Sequence, residues 1–119
     1  FAREGWVADF NDPINMLEMF ASESGNNDPQ FGGGSDGVKS DAAPEWDEYD
    51  ALINEIRTTT DFAARVDLMH QAEDMLMDTG AVVPIYYYND VYMQKSNVEG
   101  IYATVFGMKY FMYSTKTVE

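Results

Sequence analysis

Between residues 44 and 80 the apolar positions follow a helical period. In the first half they recur at three-to-four spacing among acidic residues, which predicts a helix from Pro44 to about Thr59 with one buried face formed by Tyr49, Leu52, Ile53 and Ile56. Thr60 or Asp61 can cap a second helix, which ends at Gly80, a residue suited to the left-handed C′ position. Its apolar stripe is Phe62, Val66, Met69, Ala72 and Leu76. The pattern therefore predicts a helical hairpin.

The segment before this hairpin predicts shorter elements. Residues 1–10 read as an extended segment, and Asp12 followed by Pro13 is a helix start, with Asp as N-cap and Pro at the first helical position. A short apolar helical face follows, formed by Ile14, Leu17 and residues 16–20. Residues 22–44 are rich in Gly, Asn, Asp and Ser and have no period, so we expect a flexible surface loop there.

After Gly80 the pattern changes to that of strands. Residues 81–88 are β-branched and aromatic, and Pro84 among them favours an edge or interrupted strand. Asn89-Asp90 reads as a turn into a second strand at residues 91–95, and residues 109–115 alternate well enough for a last strand. The order of elements predicts an α/β fold in which the helical hairpin packs on a small mixed sheet.

The composition of the chain excludes several classes of function. The chain has 119 residues and is 45% hydrophobic, enough for the core of one domain. Seven basic against 21 acidic residues give a formal charge of −14, which argues against a nucleic-acid partner because such binding needs cationic side chains. No cysteine is present, so neither a disulfide nor a thiolate zinc site can form. The abrupt start at Phe1, without an initiator Met, is what an excised piece or a mature form would show.

Residues that could support catalysis are sparse. His70 is the single histidine and lies within the second long helix, where a polar residue on a helix flank is the ordinary interpretation. No phosphate loop, serine elbow or metal-binding His-Glu motif occurs. The acidic residues between positions 28 and 50 lack the spacing of a calcium loop, and the eight methionines suit core filling. We therefore expect neither an enzyme nor a cofactor.

The opening segment is the informative one. A cation, a bare glycine backbone, an aromatic ring and an anion follow one another at Arg3, Gly5, Trp6 and Asp9. If the backbone from Gly5 to Val7 forms a strand edge, it can pair with the main chain of an extended peptide, whatever its side chains. Asp9 could then meet the ammonium of the peptide and Arg3 its carboxylate. From spacing alone an alternative stays open, in which Trp6 belongs to the core and Asp9 orders the following turn.

Three blocks in order resemble the oligopeptide- and dipeptide-binding proteins of ATP-driven importers, the OppA-like proteins. The first is similar to the family's G-W-x-A-D-Y-x-D-P stretch and runs from Gly5 to Pro13, followed by Ser24-Gly25-Asn26-Asn27. The second comprises Glu48-Tyr49-Asp50-Ala51-Leu52-Ile53, Ala64-Arg65 and Ala72-Glu73. The third is Val83-Pro84-Ile85-Tyr86-Tyr87-Tyr88. Members of this family are several times longer, so the resemblance implies a carboxy-terminal fragment, residues 1–119 forming part of one lobe of a type II periplasmic-binding-protein fold.

The resemblance also implies residue roles. Asp9 would bind the amino terminus of the peptide and Arg3 the carboxylate of a short peptide. Main-chain groups of Gly5 and Val7 would pair with the ligand backbone, and Trp6 would form the wall of a side-chain pocket. Further cleft residues would be Asn26 and Tyr88.

The implied protein is a substrate-binding component without chemistry on its ligand. It would deliver peptides to a membrane permease and would be extracytoplasmic, in the periplasm or at the cell surface as a lipoprotein. Two alternatives stay open, namely a relative that binds a nickel complex, haem or an oligosaccharide, and a peptide hydrolase. Residues 98–119 could also have lost their native neighbours, which makes a homodimer of the isolated piece a further hypothesis.

Overall fold

A computed structural model describes residues 2–34 and 37–118 of the chain. It divides into two compact units, residues 1–84 and residues 85–119. The first unit contains the helices and the second contains the strands of this described part.

The first helix starts one residue after the position that the sequence predicts. Helix α1 (Ile14–Leu17) is short and continues into a 3₁₀ turn at Glu18–Phe20. A carboxylate oxygen of Asp12 accepts the N–H of Ile14 at 3.0 Å, so the predicted side-chain cap is present although Pro13 occupies the N-cap position itself. The start of α1 is thereby fixed by its own sequence.

Helices α2 (Asp47–Thr58) and α3 (Phe62–Asp78) confirm the predicted hairpin. The expected face of α2 is buried, and Asp61 caps α3 by accepting the N–H of Ala64 at 2.8 Å. Gly80 follows α3 with φ of +62°, the left-handed conformation that glycine adopts without a steric penalty. One predicted core residue is wrong: Phe62, the first residue of α3, is 78% exposed because the buried stripe starts one turn later, at Val66.

An aromatic stack joins these helices to the segment before them. The rings of Trp46 and Tyr49 stack with centroids 4.5 Å apart, and Phe31 lies 4.8 Å from Trp46. Phe31 is fully buried within a 3₁₀ turn at Phe31–Gly33. Part of the segment 22–44 therefore lies in the core, which corrects its prediction as a surface loop: one large aromatic residue in a polar segment has enough apolar area to be buried. Residues 35 and 36 of the segment lie outside the described part.

Arg65 connects the ends of three elements. Its Nη2 lies 3.0 Å from both carboxylate oxygens of Asp12, and its Nε donates to the carbonyl of Ile56 at 3.1 Å. Burial by itself would raise the pKa of Asp12, but hydrogen bonds from Arg65 and from the N–H of Ile14, together with the charge of Arg65, lower the pKa below its ordinary value. The ionised carboxylate therefore stabilises the contact between α1 and the hairpin.

The second unit holds two small antiparallel sheets. Strand β1 (Val98–Glu99) pairs with β4 (Thr115–Lys116), with Val98 opposite Lys116. Strand β2 (Tyr102–Ala103) pairs with β3 (Lys109–Tyr110), with Tyr102 opposite Tyr110. The predicted last strand at residues 109–115 is thus present only at its two ends, in two different sheets.

The strands predicted at residues 81–88 and 91–95 are wrong, since the structure assigns no strand there. Pro84 lacks an N–H donor, and side chains as apolar as Ile85 and Tyr87 are 81% and 94% exposed. A strand needs a hydrogen-bonded neighbour, and none of the described residues supplies one. The prediction of a mixed sheet that packs against the hairpin is also wrong, because both sheets of the described residues are antiparallel and lie within residues 98–116. The coarser α/β class is confirmed, and the type II lobe stays a prediction.

No helix within residues 2–34 and 37–118 is long and apolar enough to cross a membrane.

Candidate functional site

A cleft of about 350 Å³ opens beside α1 in the first unit. Its wall is built from the opening segment, from α1 with the 3₁₀ turn after it, from residues 21–26 and from the last turn of α2. Most of the lining is polar or charged. The lining side chains that the following argument uses are Trp6, Asp9, Asn15, Glu18, Glu23, Ser24, Asn26 and Arg57.

Asn15 is the buried residue whose hydrogen bonds hold three residues of this cleft in place. It is only 4% exposed, and its Oδ1 accepts two hydrogen bonds, from the indole Nε1 of Trp6 at 3.1 Å and from the backbone N–H of Asp9 at 2.8 Å. Its Nδ2 donates to Glu18 Oε1 at 3.3 Å. A buried amide with both ends bonded holds its partners in one arrangement, so Trp6, Asp9 and Glu18 are fixed relative to α1.

Glu18 links this network to the hairpin. Its Oε2 lies 3.0 Å from Nη2 of Arg57, and Nη1 of Arg57 donates to Oδ1 of Asn54 at 3.2 Å. The pair is partly solvated, with the Glu18 side chain 23% and the Arg57 side chain 45% exposed. The pair thus closes one side of the cleft with charges that balance each other.

The predicted ligand residues divide into two groups. Trp6, Asp9 and Asn26 line the cleft, with Trp6 half-buried and the other two exposed. Trp6 lies at the wall and not in the buried core, while the N–H of Asp9 does contribute to local order through Asn15. The predicted alternative of a core position for Trp6 is therefore wrong, whereas Asp9 can both contribute to local order and face a ligand.

The other predicted residues of the opening segment lie outside the lining. Arg3, Gly5 and Val7 are exposed, and residues 2–8 have no assigned strand. The N–H of Gly5, expected to pair with a ligand backbone, donates to Oε1 of Glu4 at 3.1 Å. This exposed contact between neighbours is one that a ligand carbonyl can replace, so the role of Gly5 stays a prediction.

Two carboxyl groups meet next to this segment. A hydrogen bond with Glu4, partial burial and the charge of Glu4 together raise the pKa of Asp28. Asp28 therefore loses its proton at a higher pH than an isolated aspartate, because its negative charge would stand beside that of Glu4.

Tyr88 belongs to the second unit, where its ring meets that of Tyr86 edge-on at 4.9 Å. Its predicted role in ligand binding stays a prediction.

Sequence reasoning missed Asn15, Glu18 and Arg57. Asn15 gave one usable signal, because it is a polar residue between the core positions Ile14 and Leu17. Glu18 gave another, because it follows Asn15 by three residues, the spacing at which two side chains of a helix are neighbours. Arg57 gave none, because it is 39 residues from Glu18 and only the packing of α2 against α1 brings the two together.

Catalytic or metal-binding groups do not gather here. His70 lies exposed on α3, and no three histidine or carboxylate side chains of the described residues are placed to hold a metal ion. The cleft presents hydroxyl, amide, indole, carboxylate and guanidinium groups, each of which can take part in non-covalent recognition.

Comparison with known proteins shows which proteins the chain is similar to. No protein-family model matches the chain. The oligopeptide-binding protein OppA of Bacillus subtilis is 37% identical over 109 residues, which is 92% of this chain and 18% of that protein. The dipeptide-binding protein DppE of the same organism is 34% identical over 101 residues, 85% of this chain and 16% of that protein. The periplasmic oligopeptide-binding protein OppA of Salmonella typhimurium is 34% identical over 99 residues, 83% of this chain and 16% of that protein.

The chain is thus homologous to solute-binding proteins of the oligopeptide- and dipeptide-binding class. The OppA-like resemblance that the three sequence blocks predicted is confirmed. The chain spans about a sixth of the length of these relatives.

Proposed function

We propose that this chain contributes a peptide-binding surface to the substrate-binding component of an ATP-driven peptide importer. One observation carries the proposal: Trp6, Asp9 and Asn26, predicted as ligand residues from the resemblance, line the same cleft. The names of the relatives, oligopeptide-binding and dipeptide-binding proteins, support a peptide as the ligand. They also support a binding protein rather than an enzyme.

Asp9 is the group that we assign to the ammonium of the peptide. Asp9 is exposed and lines the cleft, and its backbone N–H donates to the buried Asn15, so its main chain is held in a fixed position. A charge-assisted hydrogen bond to an ammonium gives both affinity and direction. Trp6 beside it offers an apolar wall for the first side chain.

The remaining predicted roles complete the arrangement. Main-chain groups of Gly5 and Val7 pair with the ligand backbone, and Arg3 meets the carboxylate of a short peptide. Asn26, which also lines the cleft, provides an amide. For Tyr88, in the second unit, a role in ligand binding stays a prediction.

In the whole protein we place this surface outside the cytoplasm, with a membrane permease as the partner. The Salmonella relative is named a periplasmic protein, which supports that location.

The test is a calorimetric titration of the chain with a short peptide that has a free amino terminus and with its acetylated twin. The free peptide binds and the acetylated one does not, since only the former carries the ammonium. Asp9→Asn weakens binding of the free peptide by about tenfold, the effect of losing one solvent-accessible charge-assisted contact. Asp74→Asn removes the same charge from an exposed position on α3 and leaves affinity unchanged.

Equal affinity for the two peptides would remove Asp9 from its assigned role. Binding of neither peptide would contradict peptide binding by this chain.

A further inference from the structure

We propose that the groove between α2 and α3 is a docking surface for a cationic amphipathic helix of a partner protein. The groove has a volume of about 280 Å³ and shares no lining residue with the cleft beside α1. The inference therefore goes beyond the proposed peptide site and does not depend on it.

Each of the two helices presents its lining residues along one side. On α2 the lining comprises Glu48, Ala51, Leu52 and Glu55, and on α3 it comprises Leu68, Gln71 and Met75. Spacings of three, four and seven residues place each set on one face of its helix. Seven residues of helix span about 10 Å, so the groove is as long as two turns of a third helix.

The floor of the groove is apolar and incompletely covered. Leu52, Leu68 and Met75 are half-buried and pack against the core, and Ala51 beside them is exposed. The area that these side chains leave in contact with water favours the binding of another apolar surface. A methionine in such a place adapts its shape to a partner. An amphipathic helix that lays its apolar face into a groove is a recurring mode of recognition.

The rim of the groove determines the charge of the partner. Glu48 and Glu55 are exposed and form no salt bridge among residues 2–34 and 37–118. Glu55 lies in the last turn of α2, where a negative charge opposes the helix dipole, so the stability of α2 does not account for it. Lysine or arginine residues two turns apart on one flank of a helix would supply both counter-charges.

The other classes of occupant have the wrong charge. A second copy of the chain has a formal charge of −14 and is repelled by the acidic rim. Nucleic acids and anionic lipid surfaces are repelled for the same reason. Three cations of the first unit, Lys39, Arg57 and Arg65, are each paired with another carboxylate. A cationic segment of a partner protein is thus the class that matches both the floor and the rim.

The probe is a peptide made of two Leu-Lys-Lys-Leu-Leu-Lys-Leu heptads, acetylated and amidated, with leucine on one helix face and lysine on the other. Its control has the same composition in an order that spreads the leucines around the helix. Neither peptide has a free amino terminus, so neither tests the ammonium site assigned to Asp9. We expect the amphipathic peptide to bind about tenfold more tightly in a calorimetric titration, and both to bind more weakly at high salt.

Matched variants separate the groove from the overall charge of the chain. Glu48→Gln together with Glu55→Gln weakens binding of the amphipathic peptide roughly three- to tenfold at low salt, as the loss of two exposed ion pairs allows. Glu73→Gln together with Asp74→Asn removes the same charge from exposed positions of α3 outside the lining and changes the affinity by less than about twofold. Ala51→Arg fills the groove from an exposed position and also weakens binding. Circular dichroism verifies that each variant keeps its helices.

Methyl NMR signals of two methionines locate the bound peptide. The signal of Met75 in the groove shifts, while that of Met19, which lines the cleft beside α1, stays. A shift of Met75 on raising the concentration of the chain without any peptide would assign the groove to a second copy and overturn the proposal.

Equal binding of the two peptides would also overturn it, because net charge alone would then explain the attraction. An equal loss of affinity in the two double variants, or a shift at Met19 in place of Met75, would have the same consequence. Binding to the isolated chain but not to a longer protein that contains it would assign the groove to an intramolecular contact and contradict the proposal. All these outcomes leave the proposed function standing, since the acetylated probes do not test Asp9.

Discussion

Replacing Asn15 by alanine tests whether this residue holds the cleft together. The substitution removes three hydrogen bonds, those with Trp6 Nε1, Asp9 N and Glu18 Oε1. At about 1 kcal/mol for each net hydrogen bond the loss is roughly 3 kcal/mol. Water can reach the partly buried partners and replace some of these bonds, which reduces the expected loss of unfolding free energy to about 2 kcal/mol.

Asn15→Asp gives a second, more selective change. Both accepted hydrogen bonds are kept, but the introduced carboxylate faces Glu18 where the amide had donated to it at 3.3 Å. We expect a smaller loss, about 1–2 kcal/mol at neutral pH, because two carboxylates then repel each other beside Arg57. The loss relative to wild type shrinks at acidic pH, where protonation of the introduced carboxyl relieves the repulsion.

Two assays report the outcome. Urea denaturation gives the unfolding free energies, and hydrogen exchange of the two indole N–H groups gives the local effect. In Asn15→Ala the indole N–H of Trp6 loses its hydrogen bond, so its exchange speeds up by more than the loss of global stability explains. The indole N–H of Trp46, bonded to the carbonyl of Phe20, speeds up only as much as global stability falls. An unfolding free energy within about 0.5 kcal/mol of wild type, together with unchanged exchange at Trp6, would refute this account of the cleft.

Two further predictions concern the scaffold of the site. Because the folded-state pKa of Asp12 lies below its ordinary value of 3.8, its ionised form stabilises the fold fully above that pH, and the contribution is lost as pH falls through the lower folded-state value. The stability difference between wild type and Asp12→Asn should therefore shrink in acid during urea titrations, and a difference independent of pH would contradict the Arg65 pairing. Gly32→Ala should cost about 2–4 kcal/mol in the same assay, since its Cβ would lie 2.9 Å from Cβ atoms of Ser22 and Trp46 at φ of +64°. Gly37→Ala, with φ of +69° and no atom of the described residues within 4 Å of its Cβ, shows the backbone effect alone, so equal losses for the two would exclude the steric contact.

The strands show where a local pattern failed. Residues 81–95 have the β-branched and aromatic composition of strands, yet they form none, because strand pairing depends on a neighbour that composition does not provide. For the segment 22–44 the local pattern failed in another way, because it predicted an exposed loop where part of the segment is buried. Its glycines and polar residues suggested a surface loop, but Phe31 is buried against Trp46, a contact that has no periodic signal.

The sequence by itself determined helices α1, α2 and α3 and the resemblance to oligopeptide-binding proteins. The caps at Asp12 and Asp61, the buried face of α2 and the end at Gly80 are local features, since each depends on residues within one or two turns. Tertiary structure alone decided how the cleft is assembled. Asn15 meets Trp6 and Asp9 because the opening segment lies against α1, and Glu18 meets Arg57 because α1 packs against the hairpin. Sequence periodicity carries no information on such contacts.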